Sequence, residues 1–196
     1  MDSGLYETYP SEGGHTDFTP KTEEDYELLK FARHFIETSN NVENRRGSGK
    51  VGRMSVERVC AGPAVPLMYA FYKQKYPELE VVLEKDTDKG KAKDFDDIEA
   101  ADIINLAMKH NDPLCMKVVE KFTDIFGTET GNVALKMMPH GGIYLIGGVT
   151  QGIRDYLIKN NRFMENFYDK GRLSDVMRYF RVMLVNADIE IGLVGA

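Results

Sequence analysis

Apolar residues recur at helical spacing from residue 22 onward. Tyr26, Leu29, Phe31, Phe35 and Ile36 lie on one face, which predicts an amphipathic helix over residues 22–37, with Thr22 and Asp25 in an N-cap arrangement. The twenty residues before it carry three Gly, two Pro and three aromatics in a mixed polar pattern that suits a hairpin or loop. Residues 39–53, with Asn40-Asn41 and Gly47-Ser48-Gly49, read as an exposed loop. Ser55 is expected to cap a short helix through Cys60. Gly62-Pro63 breaks it before a second helix, Ala64–Lys75, which Pro77 stops.

Residues 85–94 form a polar, charge-rich insertion. Residues 96–110 and 112–138 then show three-and-four spacing, with Pro113 at a tolerated first-turn position, and should supply much of the core. The pattern changes after Pro139. Residues 141–148 are a short apolar run between paired glycines, as expected of a buried strand between tight turns. A helix is predicted over residues 150–158 and a second buried strand over 180–185. Helices flanking short buried strands give an α/β class.

With 196 residues and 42% apolar content, the chain can bury one sizeable core. Its net charge of -6, with scattered basic residues, makes nucleic acid and membrane surfaces poor partners. Cys60 and Cys115 sit in apolar helical patterns outside any metal-ligand spacing, so both are expected to be reduced core residues, and no metal ligands are assigned. No apolar run approaches the ~20 residues of a membrane span, and the start has no signal pattern, which points to a cytosolic protein.

Glu12-Gly13-Gly14-His15 is the sharpest local feature. A carboxylate and an imidazole on a glycine turn can converge on a sugar, whose hydroxyls both donate and accept, although alone the segment reads more readily as an ordinary hairpin turn. Glu57 is placed early in the predicted helix 55–60, where the dipole favours a carboxylate. Simple hydration or pairing with Arg58 is the commoner situation. Gly147-Gly148 follows a strand and precedes a helix, so it offers free N–H groups, while paired glycines more often mark a tight turn.

Order and combination add a further observation. Residues 10–20, Pro-Ser-Glu-Gly-Gly-His-Thr-Asp-Phe-Thr-Pro, closely resemble the glucose-site segment of bacterial-type glucokinases, and residues 54–63 resemble their next sugar-contacting helix. Residues 141–149 are similar to their adenosine-side strand and turn, and residues 167–174 and 192–196 match in order and spacing. The resemblance runs from about residue 9 to residue 196, with longer stretches at 40–53 and 85–94 than the family pattern needs. No cysteine-rich zinc motif lies near His15, unlike the repressor-type sugar kinases.

The resemblance implies that Glu12, His15 and Glu57 contact glucose hydroxyls and that Gly147 and Gly148 border the adenine end of ATP. It implies a ribonuclease-H-like (actin-like ATPase) large lobe, incomplete, with residues 1–196 as the carboxyl-terminal large domain in part and the small amino-terminal domain absent. The complete enzyme would use ATP with Mg²⁺ to phosphorylate D-glucose to glucose 6-phosphate in glycolysis. Family members carry an Asp-x-Gly-Gly-Thr loop, an Asn-Asp pair with the general base and a Gly-Thr-Gly turn ahead of the glucose segment. None precedes Glu12, so no catalytic residue is assigned and the chain alone is expected to be inactive. A homodimer through an unpaired strand edge is an open partner reading. The alternatives are a non-catalytic sugar-binding or regulatory module and a shortened or mispredicted gene product.

Overall fold

The computed structural model describes residues 9–38, 53–79 and 98–186. The expected stretches 40–52 and 85–94, and the ending 192–196, lie outside them.

Helix α1 is Glu23–Thr38. Its start is a reciprocal cap: the Asp25 N–H donates to Thr22 Oγ1 at 3.2 Å and the Thr22 N–H donates to Asp25 Oδ2 at 2.9 Å. Helix α2, Ala64–Lys75, buries residues all round, from Val65 through Met68 to Tyr72, and so lies in the interior. Helix α3, Ala100–His110, starts later than residue 96. Glu99 is extended there, and Asn111 closes the helix in the left-handed region at φ 51°. Helix α4, Pro113–Met137, is capped by the Asp112 carboxylate, which accepts the Cys115 N–H at 2.9 Å, and ends on left-handed Met138.

The residues predicted to form one helix over 150–158 form two: α5, Gly148–Gly152, and α6, Arg154–Lys159. Gly152 is pressed against α3. A Cβ there would stand 2.9 Å from Ile104 Cγ2, so the chain bends at this contact. Helices α7, Arg162–Tyr168, and α8, Ser174–Met177, complete the crossover. The strands are shorter than their apolar runs: β1 is Ile143–Leu145 and β2 is Val182–Leu184, paired in parallel with Ile143 opposite Val182. Neither is fully buried. Leu145 is buried, but Tyr144 and the following Ile146 are exposed, because among the described residues the helices cover one face only.

One apolar cluster joins α1 to α4, around Leu28, Met68, Ile103, Leu114 and Val118. A second lies under the sheet, around Leu145, Phe163, Phe167 and Met177, and Phe126 and Leu157 touch both. Helix α4 reaches the second cluster through two glycines. A Cβ on Gly127 would fall 2.4 Å from the Phe163 carbonyl oxygen, and one on Gly131 would fall 2.7 Å from that of Phe167. Glycine is therefore required for the α4–α7 approach. Both cysteines are free, Cys115 buried and Cys60 half-buried. Burial, with Glu129 nearby, pushes the Cys60 thiol up to about 12, and burial beside Asp112 pushes that of Cys115 up too, so both are poor nucleophiles. No helix of the described residues is long and apolar enough to cross a membrane.

Candidate functional site

The segment 9–20 does not form a hairpin with itself. Gly13–His15 is a single 3-10 turn, held by the His15 N–H to the Glu12 carbonyl at 2.9 Å and the Thr16 N–H to the Gly13 carbonyl at 3.1 Å. Neither glycine needs positive φ, since among the described glycines only Gly142, Gly147 and Gly171 adopt it. At Gly14 a Cβ would stand 3.7 Å from Glu57 Cβ, an ordinary contact distance that shows how near the two turns lie. Glu57 itself lies in a three-residue 3-10 turn, Val56–Arg58, rather than a helix through Cys60, and the Ser55 side chain does not cap it. A turn this short has no appreciable dipole, so the field expected at Glu57 is absent.

The two turns are joined side by side. The Phe18 N–H donates to the Met54 carbonyl at 2.8 Å, the Val56 N–H donates to the Thr16 carbonyl at 2.9 Å, and Asp17 bridges antiparallel to Ser55. This juxtaposition brings together the three residues picked out in the sequence. His15 Nε2 stands 3.6 Å from Glu12 Oε2, and His15 Nδ1 stands 3.5 Å from Glu57 Oε2. Both separations exceed a good hydrogen bond, and all three side chains are exposed, so their donors and acceptors remain available to a ligand.

Gly147 and Gly148 occupy a second place. Gly147, at φ 105°, ends the segment after β1, and Gly148 starts α5. No atom lies within 4 Å of where a Cβ on either would stand, so a flat group can approach the backbone. The turn is fixed from beneath: Thr150 Oγ1 donates to the Ile146 carbonyl at 3.0 Å and Gln151 Nε2 donates to the Val185 carbonyl at 2.7 Å.

Pattern reading does not show two further features, one at the site and one at the start of α1. Arg53, placed at the end of a loop, donates from Nε to Asp17 Oδ1 at 2.8 Å and from Nη2 to the His15 carbonyl. At the start of α1, buried Lys121 of α4 reaches Asp25 Oδ1 at 2.7 Å and Glu24 Oε2 at 2.9 Å. Asp25 also accepts the Lys21 N–H at 3.0 Å, and Lys21 Nζ pairs with Asp169 at 2.6 Å. The available signal was a lysine on the apolar stripe of α4, which requires an anionic partner. Among the described residues, no group of three or more His, Cys, Asp or Glu is placed to hold a metal ion.

Comparison with known proteins identifies the family. The glucokinase family model matches residues 2–196. Glucokinases from Trichormus variabilis and Synechocystis sp. are 34% and 32% identical, aligning 97% and 98% of this chain with 53% and 52% of their own. A glucokinase structure from an Antarctic psychrotroph superposes with a TM-score of 0.67 at 27% identity, covering 91% of this chain and 46% of that one. That of Balamuthia mandrillaris glucokinase in complex with glucose has a TM-score of 0.74 at 15% identity, covering 99% and 47%, a likeness of fold. The chain spans about half the length of the curated relatives it matches, and with residues 2–196 matched by the family model it belongs to the glucokinase family.

Proposed function

We propose that this chain provides the sugar-binding and nucleoside-side part of a glucokinase whose complete form transfers the γ-phosphoryl of MgATP to the 6-hydroxyl of D-glucose. In this reading residues 1–196 belong to the large carboxyl-terminal domain, a ribonuclease-H-like lobe of the actin type. Glu12 and Glu57 accept hydrogen bonds from sugar hydroxyls, and the His15 imidazole between them donates to one and accepts from another. Gly147 and Gly148 border the adenine. Mg²⁺ has no cage among the described residues, and no step of this chain's own chemistry runs through it. The general base and the phosphate turns are not assigned to any of these residues, so the chain's task is holding substrates rather than moving the proton.

The placement of His15 within 3.6 Å of two carboxylates carried by separate turns is the observation that carries this reading. Calorimetric titration of the chain with D-glucose tests it. Glu12→Ala and Glu57→Ala are each expected to weaken binding by about 1–3 kcal/mol, the cost of an unpaired hydroxyl. Binding that is unchanged in either variant would mean the sugar sits elsewhere.

A further inference from the structure

The Glu12–His15 turn has internal hydrogen bonds that fix its shape, but its tilt toward Glu57 needs a separate restraint. The backbone ladder to the neighbouring segment runs only from Thr16 to Phe18, through the Val56 and Met54 groups. Toward Glu12 and His15, the tie from the 53–56 segment is the Arg53 guanidinium. Its Nε holds Asp17 Oδ1 at 2.8 Å, and its Nη2 donates to the carbonyl oxygen of His15 itself. A planar fork that grips the bridge at Asp17 and the turn at His15 sets an angle between them as well as a distance.

Resting on the sugar-site reading above, we propose that Arg53 is a positioning residue: it holds the His15 backbone so that the imidazole and Glu12 face the same sugar as Glu57. Arg53 and Asp17 are both largely exposed, with 52% and 73% of their side-chain surface open, so this pair contributes little to global stability. A structural role and a positioning role therefore predict different results. Lysine retains the charge but cannot present the fork, and glutamine loses both.

The full 196-residue chain, Arg53→Lys and Arg53→Gln are compared by melting, by glucose calorimetry and by the nuclear Overhauser contact between Gly14 Hα and Glu57 Hβ. Melting midpoints are expected within about 2 °C of the parent. Glucose affinity is expected to fall about tenfold in Arg53→Gln and less in Arg53→Lys, with the Gly14–Glu57 contact weakened in the same order. Parent-like affinity together with a parent-like contact in Arg53→Gln would overturn the proposal. So would a fall in affinity that only accompanies a collapse of the melting midpoint. If the parent itself binds no glucose, the sugar-site reading fails while the Gly14–Glu57 contact still decides the role of Arg53: its loss in Arg53→Gln supports positioning and its persistence refutes it.

Discussion

His15 at the surface and Lys121 in the interior each stand between two carboxylates, and the two settings differ. His15 stands between Glu12 and Glu57 at 3.5–3.6 Å, with 60% of its side chain exposed. Lys121 stands between Glu24 and Asp25 at 2.7–2.9 Å, with 5% exposed. In the interior every group is held. Tyr72 and Lys75 also reach Glu24, and two backbone N–H groups also reach Asp25. Burial alone would raise both carboxyls, yet the hydrogen bonds and charge of Lys121, with those neighbours, outweigh it and hold both below their ordinary values. Burial would likewise lower the Lys121 ammonium, and Asp25 and Glu24 reverse that. The buried trio is closed and structural. The exposed trio is loosely spaced and can exchange water for a ligand's hydroxyls.

The largest test of this contrast is Lys121→Met, which leaves Asp25 buried beside no cation. It should cost about 3–5 kcal/mol in denaturant unfolding, and a loss under about 1 kcal/mol would mean that water already reaches the pair. Acid comes next. Because the folded values of Glu24 and Asp25 are depressed, their stabilisation is full above the unfolded values of 4.5 and 3.8 and disappears as pH falls through the folded ones. Unfolding free energy should therefore drop below about pH 4.5, less steeply in Asp25→Asn/Lys121→Met, and parallel curves would refute the assignment. Glu24→Gln is expected to cost about 1 kcal/mol by thermal melting, since the amide can keep the Tyr72 bond and water replaces part of the rest. Glu12→Ala and Glu57→Ala should each shift stability by less than about 0.5 kcal/mol, and a larger shift in either would make the exposed trio structural as well.

What could be read in advance follows the range of the interactions. Helices α1, α2 and α4 announced themselves because their caps, apolar stripes and breakers are local; Thr22 with Asp25 and Pro113 behind Asp112 do what their spacing predicts. The helix at 150–158 divides because Gly152 meets Ile104, a contact no periodicity records. Helix α7 has only Phe163 and Phe167 buried in seven residues, too weak a stripe to stand out after Asn160-Asn161. Glu12, His15 and Glu57 were found as residue types, but the order of the chain does not show the ladder through Thr16 and Phe18 that sets their turns together. Nor does it show Lys121 choosing Asp25 as a partner ninety-six positions away.

The parallel pairing of β1 with β2 has a consequence in time. Ile143 cannot meet Val182 until the chain between them has turned back through α5, α6, α7 and α8, so the sheet closes a long loop for few hydrogen bonds. The contact of α7 with Gly127 and Gly131 ties part of that loop back to α4, the helix that precedes β1, and so shortens the closure that the strands must make. The Val185 N–H, bonded to the Leu145 carbonyl, should thus acquire protection late in refolding and lose it early in native-state hydrogen exchange. The Gly147-Gly148 turn, anchored to Val185 through Gln151, would be shaped last and released first.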